Sequence, residues 1–279
     1  MVNMTSRSGY GSWLWPVRHF RNPIGEQSTM NKTLGFIGSG TIGGILARLA
    51  VAAGLDVVLS NSRGPESLAG LVAELGPRAR AATPAEAAEA GDLVVVSIPL
   101  GAYEKIPAQP LAGKIVIDTL NYYPVRDGRI AELDANELTS SELVQRHLAG
   151  SRAVKAASNI VVSQLFSLAR PSGAPDRSAM PIAGDDASAK AEVVELLDLL
   201  GYDAVDIGTL ADSWRSEPGT PVYGKPYYGE VPKDVSLDKT MEWIFQTPGI
   251  PIPADRVREL TATAVRGPAG GSSSVDDWI

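Results

Sequence analysis

Residues 33–43 read Thr-Leu-Gly-Phe-Ile-Gly-Ser-Gly-Thr-Ile-Gly, a short apolar strand running straight into Gly38-x-Gly40-x-x-Gly43. No other stretch restricts the fold as tightly, because each glycine has a separate steric task. Gly38 permits the tight turn out of the strand. Gly40 lets the backbone come close to a pyrophosphate, and Gly43 lets the following helix pack closely on the sheet. Ile42, Ile45, Leu46, Leu49, Ala50 and Ala53 recur at helical spacing until Gly54, which predicts a helix from near Thr41. Strand, glycine turn and helix start together predict a dinucleotide site. Its phosphates would sit at the helix N-terminus, where unpaired N–H groups and the helix dipole favour anions.

The rest of the chain repeats the alternation. Leu55–Ser60 predicts a second strand, Pro65–Leu75 a helix, Arg78–Ala82 a short strand and Pro84–Ala90 an alanine-rich helix. The apolar runs Asp92–Pro99 and Lys114–Thr119 read as strands buried on both faces. Thr139-x-x-Glu142 is a capping-box pattern opening a helix over Ser140–Leu148, followed by a strand at Arg152–Ala156. Met180–Ala183, a helix over Ala187–Leu200 and Asp203–Asp206 make one further unit. This order predicts an α/β fold of the Rossmann type: a doubly wound, mostly parallel sheet covered on both faces, with a small C-terminal segment.

Four regions follow from the composition along the chain. Residues 1–29 hold Arg7, Arg18 and Arg21 against Glu26, with scattered Gly, Ser, Trp13 and Trp15, and read as a disordered extension. Residues 30–207 form the nucleotide-binding domain. Residues 208–266 change character, with Pro218, Pro221, Tyr223, Pro226, Tyr227 and Tyr228 predicting a wrapping segment before short helices near 237–245 and 254–265. Residues 267–279 read as a flexible Gly/Ser tail.

The end of the second strand distinguishes between dinucleotides. A protein preferring NAD usually places Asp or Glu about 20 residues past the glycines, to accept from the ribose 2′-hydroxyl. This chain has Asn61-Ser62-Arg63-Gly64 there. A carboxylate would repel a 2′-phosphate, whereas a hydroxyl and a guanidinium can bind one. NADP(H) is therefore the expected cofactor.

Composition excludes several chemistries. With no cysteine, there is no disulfide, thiolate nucleophile or cysteine-bound metal, and His19 and His147 are the only imidazoles. No metal site is expected, and His147 is read as capping the end of the 140–148 helix. A net charge of −7 argues against a nucleic-acid partner. No apolar run approaches the ~20 residues needed to span a membrane. These features fit a cytoplasmic enzyme acting on a small molecule. Ligands of such sheets bind at the carboxyl ends of the strands, here Ser97–Leu100, Asp118–Tyr122 and Lys155–Ile160. No paired carboxylates or activated nucleophile stand there, which suits hydride transfer between preformed redox groups.

The glycine turn, the Asn61-Ser62-Arg63 turn, the Val95-Val96-Ser97-Ile98-Pro99 strand end and the Ile117–Tyr123 segment resemble the coenzyme F420-dependent NADP oxidoreductase family, most closely its actinobacterial branch, over residues 31–228. The resemblance implies a homodimer that transfers hydride reversibly between the nicotinamide of NADP(H) and a deazaflavin or flavin-like acceptor. Position by position, it implies that Gly38, Ser39, Gly40, Thr41 and Ile42, with Gly43 behind them, hold the pyrophosphate. Ser62 and Arg63, beside Asn61, would hold the 2′-phosphate, and Ser97, Ile98 and Pro99 would lie along the nicotinamide. The acceptor ring would be walled by Leu100, Asn121, Ser158, Asn159 and Ile160, and its anionic tail met by Arg152, Lys155, Arg215 or Lys225. Relatives carry an aromatic residue and an asparagine where this chain has Ala157 and Ser158, so a widened acceptor wall is expected. Two other readings stay open. Lys155-x-x-x-Asn159 matches the spacing of a pair used by β-hydroxyacid dehydrogenases and imine reductases on carbonyls and imines. A non-catalytic NADP(H)-binding redox sensor would need only the nucleotide half.

Overall fold

A computed structural model describes residues 32–232 and 235–271 of the chain. Eight strands form one continuous sheet: β1 Thr33–Ile37, β2 Asp56–Ser60, β3 Ala79–Ala81, β4 Leu93–Val96, β5 Ile115–Asp118, β6 Arg152–Lys155, β7 Ala179–Gly184 and β8 Asp203–Asp206. Their spatial order is β3-β2-β1-β4-β5-β6-β7-β8, and every pair is parallel except β6 with β7. This is the expected Rossmann-type doubly wound sheet. The order reverses between β1 and β4, and that crevice is where ligands of open α/β sheets bind.

The strands carry unbroken apolar runs because both faces are covered. Leu34, Phe36, Val57, Leu59, Val95, Ile117 and Val154 point to one face, where they pack with Leu46, Leu49 and Ala50 of α1 (Thr41–Ala52). Val193 and Leu196 of the Ala187–Leu199 helix extend that core. The alternate residues Val94, Val96 and Val116 face the other way, onto Leu143, Val144 and Leu148 around the Ser140–His147 helix. The predicted capping box of Thr139 with Glu142 is present, and a second, unread in the sequence, joins Thr83 with Glu86.

Four local readings change. Pro65–Leu75 divides into a 3₁₀ turn, Pro65–Leu68, and a helix, Ala69–Leu75. His147 does more than terminate its helix, since its Nε2 lies 2.9 Å from the Ile106 carbonyl oxygen. β7 runs against β6 rather than along it. Its ladder to β6 is limited to Val154↔Gly184 and Lys155↔Ala183, and Pro181, which has no N–H to give, lies just beyond. Of the segment read as a flexible tail, residues 267–271 are held down. Asn136 Nδ2 donates to the Gly267 carbonyl, and Gly270 lies against Pro124 and the Tyr122 carbonyl. The reading of 272–279 as tail, like that of 1–29 as an extension, falls on residues outside those described.

Candidate active site

The glycine turn is built as its spacing requires. Gly38 has φ +97°, and a Cβ on it would stand 2.2 Å from the Ser97 carbonyl oxygen. A Cβ on Gly43 would stand 2.1 Å from the Gly38 carbonyl oxygen, so α1 can start this close to the turn only with glycine there. Gly40 differs. A Cβ on it would meet nothing within 4 Å, so its open side faces vacant space at the head of α1. No side chain caps that helix and no acid occupies its first turn, so its leading N–H groups and dipole are available to an anion. Ser39 turns its hydroxyl back to the Ser60 carbonyl (3.0 Å), and Gly38 N–H donates to the same oxygen (3.1 Å). Thr41 is exposed and Ile42 half-buried at the same edge.

The turn after β2 is rigid at its base and cationic at its tip. Asn61 Oδ1 accepts from Arg63 N–H at 2.8 Å, and its Nδ2 donates to Ser67 Oγ at 2.8 Å. Ser67 Oγ in turn donates to the Gly64 carbonyl at 2.7 Å. Ser62 and Arg63 are exposed, and Arg63 makes no ion pair with any described residue. The position that would carry an NAD-type carboxylate is thus an amide spent on shaping the loop. Ser67 was not singled out from sequence; its only signal is a hydroxyl three residues after a positive-φ glycine, Gly64 at +93°.

The strand ends bring the second half of the site together only in part. Ser97 N–H donates to the Ile37 carbonyl (2.8 Å), and Thr119 donates to Val96 from both N and Oγ1. This sets Ser97, Ile98 and the exposed Pro99 beside the 119–121 loop. Asn121 Nδ2 donates to the Ser158 carbonyl at 2.7 Å, joining the ends of β5 and β6. The remaining expected wall residues lie elsewhere. Leu100 is fully buried within the second core and Ile160 within the first. Asn159 spends its Nδ2 on the Val222 carbonyl and Tyr227 hydroxyl, both 3.0 Å, while its carbonyl accepts from Gly224 N–H. Asn159 therefore ties the C-terminal segment down. Ala157 adopts φ +51° and is 2% exposed among core residues, so its small side chain faces packed protein.

Lys155 is fully buried on β6. Its Nζ donates to the Leu120 carbonyl and to Ser140 Oγ (3.2 Å) and lies 3.7 Å from Asp118 Oδ2. The Lys155/Asn159 spacing thus belongs to two structural anchors, and neither side chain is offered to a substrate. The other proposed tail-binding cations are also dispersed. Arg152 starts β6, at the far end of the sheet, beside Ser188 and Asp186. Arg215 stacks on Trp214, and the exposed Lys225 pairs with Glu230.

A cluster unread in the sequence does gather here. The hydroxyls of Tyr123 and Tyr223, 100 residues apart, hydrogen-bond each other. The Arg126 guanidinium lies 4.7 Å from the centre of the Tyr123 ring and donates to the Asn121 carbonyl at 2.8 Å. Burial pushes both phenols up from their ordinary value, Tyr223 well above it. Among the described residues, no group of three His, Cys, Asp or Glu could hold a metal ion, and no helix is long and apolar enough to cross a membrane.

Known proteins resemble this chain in sequence and fold. Residues 33–122 match the family described as NADP oxidoreductase, coenzyme F420-dependent. A hypothetical protein from Sinorhizobium meliloti is 28% identical with a TM-score of 0.61, over 70% of this chain and 94% of that one. A "putative F420 dependent NADP-reductase" from Arthrobacter sp. FB24 is 27% identical with a TM-score of 0.56, over 65% and 86%. The curated Escherichia coli protein YjhV is 40% identical over 53 residues, 19% of this chain, and this chain spans 39% of its length. Residues 33–122 are accordingly similar to the NADP oxidoreductase family, coenzyme F420-dependent, over about a third of the chain.

Proposed function

We propose that this chain transfers hydride between NADP(H) and a deazaflavin of the coenzyme F420 type. The observation that carries the cofactor half is the vacant space over Gly40 at an uncapped α1, followed by an acid-free turn ending in the unpaired Arg63. The first α1 N–H groups would hold the pyrophosphate, and Ser62 and Arg63 the 2′-phosphate. Ser97 and Ile98 would flank the nicotinamide, with Asn121 and Ser158 across from them. NADPH supplies the hydride when bound. The residues at the strand ends are small, apolar or amide, so they orient the two rings and exclude water while the cofactors carry the chemistry.

The acceptor half is supported by the matched family and by the name of the Arthrobacter protein. The carbonyl or imine reductase reading loses its main support, because Lys155 is buried against Leu120 and Asp118. The test is reduction of F420 by NADPH, followed as loss of deazaflavin absorbance, with NADH, flavins, cyclic imines and carbonyl compounds run in parallel. F420 should be reduced, with NADPH preferred over NADH by at least about tenfold. Turnover of an imine or carbonyl compound without F420 reduction overturns the acceptor. Tight NADPH binding with no turnover of any acceptor points instead to a sensor.

A further inference from the structure

A buried charged network lies behind the strand ends, and the hydride-transfer reading does not use it. Asp118 closes β5 with no exposure. Its Oδ1 accepts from Leu120 N–H at 2.8 Å and its Oδ2 from Ser141 Oγ at 2.6 Å. Lys155 on the neighbouring strand takes the Leu120 carbonyl and Ser140 Oγ. Ser140 in turn gives both its N–H (3.1 Å) and its hydroxyl (2.6 Å) to Glu217 Oε1, in the C-terminal segment. Both backbone polar groups of Leu120 are therefore held by charged side chains rather than by the sheet ladder. The next residue is Asn121, whose amide spans to the Ser158 carbonyl and whose own carbonyl is held by Arg126.

Burying a lysine, an aspartate and a glutamate is a poor way to stabilise a fold. Desolvation consumes most of the Coulomb gain, and apolar residues of like volume serve stability equally well. What such a network does provide is direction. The peptide between Leu120 and Asn121 cannot rotate without breaking a charge-assisted bond in a medium where that is costly.

We propose that Lys155 is a positioning residue for the nicotinamide end of the dinucleotide. Through the Leu120 carbonyl it fixes the 119–121 loop, and through Ser140 it links that loop to Glu217. The proposal rests on the NADP(H) reading. It leaves the adenosine end, at Gly40 and Ser62–Arg63, independent of Lys155.

Two ligands separate the ends. NADPH reaches both, whereas adenosine 2′,5′-bisphosphate occupies only the adenosine end. In the full chain, Lys155→Met should weaken NADPH by about tenfold, the scale of one charge-assisted bond, and leave the bisphosphate unchanged. Ser141→Ala removes a partner of Asp118 without stranding a lysine-facing charge, and stands in should Lys155→Met fail to fold. It should show the same selective loss, about tenfold, as for one hydrogen bond to a charged group. Equal losses for both ligands would mean general structural damage and overturn the proposal. So would unchanged NADPH affinity in Ser141→Ala or in folded Lys155→Met. A parent chain that binds neither ligand refutes the NADP(H) reading itself. A parent that binds both, with variants that do not discriminate, refutes only the role of Lys155.

Discussion

Two glycines three residues apart, Gly40 and Gly43, should respond oppositely to the same added methyl group. In Gly40→Ala the new Cβ enters open space, and the residue's φ of −76° is on the side that L-residues adopt. The unliganded protein should melt within about 2–4 °C of the parent, because a Gly→Ala change of this kind is worth at most about 1 kcal/mol either way. The methyl does, however, occupy the volume a pyrophosphate needs. Losing one charge-assisted N–H bond to phosphate costs about 1.5–3 kcal/mol, or roughly 10–100-fold in NADPH affinity. In Gly43→Ala the Cβ would lie 2.1 Å from the Gly38 carbonyl oxygen, a backbone atom that cannot swing away. Overpacking of this sort costs about 1–3 kcal/mol or more, which lowers the melting temperature by several degrees before any ligand is added. Melting curves of both apo variants, with NADPH titrations, check the pair. A Gly40→Ala protein that binds NADPH as the parent does would refute the placement of the phosphates.

Arg63→Ala should lower NADPH affinity about tenfold, the lower end of the range because the side chain is exposed, and leave NADH nearly unchanged. The difference should shrink as salt is raised, and an equal loss for both cofactors contradicts it. Ala157→Phe should lower the melting temperature by several degrees (~1–3 kcal/mol) rather than tighten a flat ligand, since Ala157 is 2% exposed with φ +51°; an unchanged melt with tighter F420 binding would show an open wall there. Thr83→Ala should cost about 1 kcal/mol in a urea titration through loss of its capping box. Hydrogen bonds hold three carboxyls below their usual values: Glu86 by the Thr83 N–H, Asp186 by Ser188 and Asp212 by Thr209. The unfolded chain therefore takes up these protons first. Their stabilisation is complete above the ordinary carboxylate range and is lost as pH falls through the lower folded values, so Asp212→Asn should show a shallower loss of urea midpoint in acid.

The geometry of the glycine turn and of the Thr139 helix cap was legible because short residue patterns specify it. Gly38 and Gly43 contact residues at the turn they create or at the adjacent strand end, and the capping boxes at Thr83 and Thr139 span three residues each. Continuous apolar runs likewise located the strands, most of them to within one residue at each end. Strand direction was another matter. Ala179–Gly184 is buried at every position, so nothing in its pattern distinguishes a parallel from an antiparallel neighbour. The acceptor half failed for the same kind of reason. Leu100 and Ile160 stand next to site residues in sequence yet point into opposite cores, and Ala157 holds a left-handed backbone that sequence reserves for glycine.

The segment over residues 208–228 is held against the ends of β5 and β6 by long-range hydrogen bonds. Its Pro and Tyr residues lie among turns and two short helical pieces, Leu210–Ser216 and Lys225–Tyr228, and their positions are set by partners far away: Glu217 by Ser140, Val222 and Gly224 by Asn159, Tyr223 by Tyr123. Each contact joins the segment to the end of β5 or β6 or to the helix between them. On the proposed function, the strand ends would frame the nicotinamide, and a change of acceptor would come from residues 208–228 without disturbing the glycine turn. The two halves answer to different physics, one to backbone sterics at the glycine turn and the strand end beside it, the other to hydrogen bonds across more than sixty residues.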